Sequence, residues 1–232
     1  MMGHLGREVR AVRDIRFDVG LLNQSDAARY LGMRPSTFQR WARGTGDTAP
    51  ILDVLPGAPG VATVPFAAMA EAHVVQALHQ AGVPRHKIRP ALRRLQEEFG
   101  VEYALIAPNL ATDGVDVLWD FSRSAEGSGL IEARTGQRVM RDIIRDYLQY
   151  LIWSDGDRYP RMMQLRSCLP SQVIIDPQRA FGQPIFARSR TRVADVIGMY
   201  TAGDEPEVIA DELGVEIADV RTAVRVGLGL AA

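Results

Sequence analysis

Between Gly32 and Gly44 the chain spaces Arg34, Ser36, Thr37, Gln39, Arg40 and Arg43 around two aromatic residues, Phe38 and Trp41. In a helix Phe38 and Trp41 stand three apart on one face, so burying them turns the polar set outward. Arg, Ser, Thr and Gln are the side chains that contact phosphates and base edges in a major groove. Arg34 occupies the position where a capping Ser, Asp or Thr is expected; an arginine caps poorly there but can reach a phosphate.

Charge elsewhere is segregated, although the net charge of the 232 residues is only -1. Residues 85 to 94 hold Arg85, Lys87, Arg89, Arg93 and Arg94 with no acid, and Arg93 and Arg94 are expected to grip the DNA backbone. Residues 204 to 219 hold Asp204, Glu205, Glu207, Asp211, Glu212, Glu216 and Asp219 with no base. Phosphates repel such a stretch, so it reads as a protein-facing end, with Asp204, Glu205, Glu207, Asp211 and Glu212 as the contact candidates. Of 27 basic residues only Lys87 is lysine, which reflects a GC-rich coding sequence more than a preference for bidentate contacts.

Catalytic and metal-binding patterns are missing. There is no phosphate loop, His-Glu-x-x-His, Gly-x-Ser-x-Gly or dinucleotide fingerprint. Cys168 is the single cysteine, which excludes an internal disulfide and a thiolate-rich zinc site and suggests a buried structural thiol. His4, His73, His79 and His86 lack companions at metal-ligand spacing, and His73 reads as a packed core residue. The pairs Asp113/Asp116 and Asp155/Asp157 sit in glycine-containing turns that favour Asp for backbone reasons. No cofactor, no metal and no enzymatic activity are expected. Hydrophobic content of 47%, with no long apolar run and no signal-like start, predicts a cytoplasmic chain without membrane contact.

Several elements must position these residues. Ser25 can cap a helix to Leu31, Ala27 and Ala28 allow a close crossing, Gly32 turns the chain, and Pro35 opens a helix to Arg43. "ILDVL" and "VATV" suggest a hairpin wing. Helical periodicity covers 65–82 and 84–99, with Pro90 as a kink or boundary. "VEYALIA" and "VDVLWDF" read as strands, and residues 122–136 as a polar loop with one strand-like piece. The stripe from Val139 to Leu151 marks a strongly amphipathic helix over 137–153. "RMMQL" and "SQVIIDP" read as short strands, and the tail as helices over 193–202, 205–213 and 217–226.

Two stretches resemble known families. "LLNQSDAARYLGMRPSTFQRWARG", followed by "IRPALRRLQEEFG", resembles the DNA-binding end of MerR-like helix-turn-helix proteins. The segment from "VIIDPQRAFGQPIFARSRTRVADVIG" to "IADVRTAV" resembles the domain-of-unknown-function family 433. The match runs through Asp176, Pro177, Gly182, Pro184, Thr191, Arg192, Val193 and Gly203. Phe181 departs from it, standing where the family usually carries the first of two glycines, and Ala187 replaces another usual glycine. Proteins joining both resemble VapB-like antitoxins of type II toxin-antitoxin pairs, whose partner is a PIN-like ribonuclease. That resemblance implies neutralisation of a toxin and repression of the shared operon.

The expected fold is mainly α with short β-strands: a winged helix-turn-helix domain plus a C-terminal three-helix domain. The expected division is an arm over 1–20, a MerR-like winged domain over 21–100, a linking strand-and-helix segment over 101–168, and a three-helix domain over 169–232. Partners would be operator double-stranded DNA and a toxin. A homodimer is expected because one recognition helix reads few base pairs, with Val139–Leu151 or Ile88–Phe99 as the pairing helix. On this division, deleting everything after Leu169 should spare the front. The alternative is a stand-alone MerR-like regulator with a small-molecule effector, and the neighbouring gene discriminates between the two.

Overall fold

The computed structural model describes residues 14–44, 46, 49–124, 127 and 136–229. Most of the expected 122–136 loop, His4 and residues 1–13 of the arm lie outside the described residues. The rest is mainly helical with one small sheet.

Its centre is a helix over Phe66–Gln80, buried on nearly every side rather than along one stripe. A helix apolar all round belongs inside, and its run of alanines lets neighbours approach closely. Numbered in chain order this is α4, after α1 (Ile15–Asp18), α2 (Gln24–Tyr30) and α3 (Pro35–Arg43). Against it pack α5 (Arg85–Phe99) and α7 (Gly136–Leu148), and α6 (Asp113–Ser122) packs in turn on α5 and α7. Inside α4, Glu71 is buried, and its carboxyl is pushed well above the usual range by desolvation and then by the charge of Asp53.

Strands β1 (Leu151–Ile152), β2 (Met162–Gln164), β3 (Val173–Ile175) and β4 (Ile185–Phe186) form an antiparallel meander in sequence order. Leu151, Met163 and Ile175 lie opposite one another in register and are all buried. The tail forms α8 (Val193–Ala202), α9 (Pro206–Leu213) and α10 (Ile217–Gly227) around Val196, Ile209 and Val220, each fully buried.

Several expectations change. "VDVLWDF" lies in α6, where burial follows Val115 and Leu118 rather than alternate residues. Gly114 permits this: a Cβ there would sit 2.8 Å from Leu110 and 3.1 Å from Phe99, so α6 can close on α5. In "VEYALIA", Ala104–Ile106 form a 3-10 turn. All of Ala104–Ala107 are buried with no strand alongside, so the backbone satisfies its hydrogen bonds locally. Asp113 and Asp116 are in the first turn of α6, not a loop, and Asp116 pairs with Arg141. Helix α7 stops at Leu148, so Leu151 belongs to β1. Pro90 is accommodated within a continuous α5.

Both stripes expected to pair two copies are used inside the chain. Met140, Ile144 and Leu148 pack into the core beside α4, and Ile88, Leu92 and Leu95 are likewise buried. One continuous cluster of buried side chains runs from Leu21 to Val226.

Candidate nucleic-acid interface

Helix α2 is capped by Asn23, not Ser25. The Asn23 side chain accepts from the Asp26 backbone N–H at 2.8 Å and donates to the Asp26 carboxylate at 2.7 Å. Ser25 lies in the first turn. Asp26 also pairs with Arg29 at 2.9 Å, so neither contributes net charge to the surface. Ala27 and Ala28 are fully buried, and Gly32 takes φ +66° at the turn, a backbone angle that costs a Cβ-bearing residue about 1–2 kcal/mol.

Helix α3 then runs over Pro35–Arg43 with Arg34 at its N-cap and no side-chain cap. Phe38, Trp41 and Ala42 face inward. Arg34, Ser36, Arg40 and Arg43 are exposed, with Thr37 and Gln39 half-buried. Among the described residues Arg34, Arg40 and Arg43 form no ion pair, whereas Arg16, Arg29 and Arg94 do. The Trp41 carbonyl accepts from the N–H groups of Ile51 and Leu52 at 2.8 and 3.2 Å, returning the chain beneath α3.

Arg85, opening α5, donates to the Arg40 carbonyl at 3.4 Å. Its pKa is lowered by burial and by the like charge of Arg40, so two guanidinium groups adjoin the end of α3. Exposed Arg93 and Arg94 lie roughly 12–14 Å farther along α5 by helix rise. Arg94 pairs with Glu98 at 3.0 Å on its own helix.

The wing is a loop more than a hairpin. The Leu55 N–H donates to Thr63 at 2.8 Å, but Val64 pairs with Leu22 ahead of α2. Pro56 and Pro59 have no N–H to extend a ladder. The loop tip, Gly57–Val61, closes over the start of α2 and over Gln39 and Arg43 of α3, around a cavity of about 100 Å³. Among the described residues the Gln24 side-chain oxygen, buried there, has no hydrogen-bond partner. Glutamine gave no sequence signal for this.

At the other end of the chain Asp204, Glu205, Glu207, Asp211 and Glu212 are all exposed, and none forms an ion pair among the described residues. Glu216 pairs with Arg188. Val208, 52% exposed, stands among the acids as an apolar centre.

Sequence reasoning noted Phe181 only as a departure. It is 92% exposed, and Ala180, Phe181 and Gly182 are consecutive residues with positive φ. A left-handed Phe costs about 1–2 kcal/mol, and glycine returns about 0.5–1 kcal/mol of that through its unfolded-state entropy. Phe181→Gly is therefore expected to leave urea stability unchanged or raise it by up to about 1.5 kcal/mol, where truncating a buried Phe costs about 3–5 kcal/mol. A loss of stability in the urea melt would mean the side chain is packed.

His73 is packed as expected, its Nε2–H donating to the Tyr147 carbonyl at 2.9 Å. Cys168 is a buried free thiol with its pKa pushed up to about 11 by burial. Among the described residues no His, Cys, Asp and Glu cluster could hold a metal ion, and no helix is long and apolar enough to cross a membrane.

Residues 20–92 match the family described as "Putative DNA-binding HTH domain", and residues 173–225 match "Protein of unknown function (DUF433)". The chain is 24% identical over 211 residues to "Uncharacterized protein Rv2308" of Mycobacterium tuberculosis, covering 86% of this chain and 87% of that one. It resembles the X-ray crystal structure of Rv2018 from the same organism with a TM-score of 0.75 at 37% identity, over 90% of this chain and 99% of that one. It is 39% identical over 229 residues to "Putative antitoxin VapB45" of Mycobacterium tuberculosis, covering 91% of this chain and 95% of the relative. With that identity over nearly the whole of both chains, a helix-turn-helix front and a helical tail, this protein belongs to the family of the "Putative antitoxin VapB45".

Proposed function

We propose that this protein is a DNA-binding antitoxin that represses its own operon and neutralises a PIN-like ribonuclease. The observation that carries the DNA half is an exposed set, Arg34 at the N-cap of α3 with Arg40 and Arg43 on the side opposite Phe38 and Trp41, that forms no ion pair among the described residues. Ser36, Thr37, Gln39 and Arg40 would meet base edges. Arg34, Arg43 and the wing would meet phosphates, with Arg93 and Arg94 farther along the duplex. A two-fold pair over two half-sites fits this reading, formed through a surface other than the buried faces of α5 and α7.

The toxin half draws on the likeness to "Putative antitoxin VapB45" and on the acidic surface of α9. A ribonuclease must present basic surface along its RNA path, and Asp204, Glu205, Glu207, Asp211 and Glu212 around Val208 form an acidic rim with an apolar centre to cover it. The test is co-expression with the ribonuclease encoded beside the gene. Reversing Glu205, Glu207, Asp211 and Glu212 to lysine should abolish growth protection and co-purification while the far-UV spectrum stays unchanged. Full protection by the reversed chain would move toxin contact elsewhere.

The second reading, a stand-alone regulator with a small-molecule effector, is favoured by one observation: a polar cavity lies directly against the Gly32 turn.

A further inference from the structure

Helix α4 is buried nearly throughout, yet His73, Gln76 and Gln80 follow one another at spacings of three and four, on one face. That face lines an open cavity of about 270 Å³, in which His73 is buried, Gln76 is half-buried and Gln80 stands exposed at the edge. A polar side chain inside a core is costly unless paired, and His73 is half paired, as are Gln76 and Gln80 nearer the cavity mouth. The His73 Nε2–H donates to the Tyr147 carbonyl at 2.9 Å, the Gln76 amide N–H donates to the Leu31 carbonyl at 3.1 Å, and the Tyr147 hydroxyl donates to Gln80 Oε1 at 2.9 Å.

Each of these bonds uses one function and leaves its opposite. With Nε2 carrying the ring proton, His73 Nδ1 is an acceptor, and burial lowers the pKa of the ring to about 4, so it stays neutral. Among the described residues Nδ1 has no hydrogen-bond partner, although His73 is only 2% exposed. Because a carbonyl can only accept, the Gln76 amide nitrogen must face Leu31, leaving its oxygen as a second acceptor. Gln80 keeps its amide N–H groups as donors.

Charge narrows the ligand further. Among the described residues the one cation at the cavity, Arg166, pairs with Asp146 at 3.1 Å and lies over the Tyr147 ring, 4.6 Å from its centroid. An anion would therefore find no uncompensated positive charge. Leu31, Met163 and Leu165 supply apolar wall. The volume corresponds to roughly nine waters at about 30 Å³ each, enough for a bicyclic ring but small for a drug-sized ligand.

We propose that this cavity is a binding site for a neutral nitrogen heterocycle of nucleobase size, read by the acceptors His73 Nδ1 and Gln76 Oε1 and the donor Gln80 Nε2. The alternation of acceptors and a donor matches the edge of such a ring, which carries both N–H groups and bare ring nitrogens or carbonyls. The site is closed on one side by Leu31 and Gly32, so an occupant would touch the turn between α2 and α3. Binding there does not depend on whether the chain acts as an antitoxin or as a stand-alone regulator, and its absence would leave the operator reading untouched.

The experiment uses the full chain with adenine, guanine, cytosine and uracil, their ribonucleosides and their monophosphates, read by thermal unfolding and calorimetry. A base or nucleoside should raise the unfolding midpoint in proportion to its concentration, and its monophosphate should bind more weakly because no free cation awaits the phosphate. Bases alone binding would mean that the pocket admits no sugar; binding by both would mean that its mouth does. Gln76→Leu and Gln80→Leu should each weaken binding roughly tenfold or more, since each strands a ligand group. If these variants fold poorly, the wild-type chain still decides: the ligand should move the ¹⁵N resonance of His73 Nδ1. The proposal is overturned if no compound shifts the midpoint at millimolar concentration. It is equally overturned if binding leaves both variants and the His73 resonance unaffected.

Discussion

A chain carrying alanine at Arg40 and Arg43 is expected to bind its operator roughly 30-fold or more weakly, since truncating each arginine costs about 1–3 kcal/mol. The slope of log affinity against log salt should also fall by about one, at about 0.9 for the phosphate that Arg43 no longer neutralises. Stability should change by no more than about 0.5 kcal/mol, because both side chains are exposed and, among the described residues, unpaired. Fluorescence anisotropy of a labelled operator over a salt series, with urea melts alongside, measures all three quantities. Arg94→Ala is the internal comparison. Its guanidinium is shared with Glu98 on its own helix, and it should cost less. Unchanged affinity and slope in the double variant would put the DNA on another surface.

The second large effect is on folding. A chain ending at Leu169 should lose cooperative unfolding altogether, contrary to what a self-sufficient front would do. Leu21 packs against Gly182, and its carbonyl accepts from the Gln183 amide at 2.7 Å. Met163 and Leu165 depend on β3, through pairing with Ile175 and a 2.8 Å hydrogen bond to the Val173 carbonyl. Helix α10 rests on α2, and its Arg225 donates to the carbonyls of Ser167 and Leu169 at 3.1 and 3.4 Å. Uncovering only Leu21, Met163 and Leu165 forfeits roughly 5–9 kcal/mol at about 1.5–3 kcal/mol each, against a total stability of about 5–15 kcal/mol. Near-UV circular dichroism and a urea melt decide it. A sigmoidal transition with native near-UV signal in the truncated chain would show that the front stands alone.

Helix α3 was legible because its signals are local. Pro35 opens it, the three-residue spacing of Phe38 and Trp41 orients it, and neither depends on distant residues. The tail helices were legible for the same reason, since Gly203 and Gly214 end α8 and α9 in the left-handed conformation that glycine tolerates. Short apolar runs were legible only in part: "RMMQL" and "SQVIIDP" hold β2 and β3, as their sequence suggests, but other runs changed class. "VDVLWDF" is compatible with either period, and the choice fell to helix because Gly114 lets α6 close on Phe99 and Leu95 of α5, a contact well beyond the reach of local periodicity. Asn23 displaced Ser25, two residues on, as the cap of α2, because either side chain can do that work and only the exit from the Leu22–Val64 pairing chooses between them.

The candidate surfaces divide along the same line. Which residue types α3 presents, and that acids gather between residues 204 and 219, are properties of composition and spacing and were settled along the chain. That Arg85 reaches the Arg40 carbonyl, that the wing tip closes on Gln39 and Arg43, and that His73, Gln76 and Gln80 line one cavity were settled by packing. Helical periodicity says which side chains share a face but not what that face meets, and here the answer came from segments as far away as Tyr147 and Ser167.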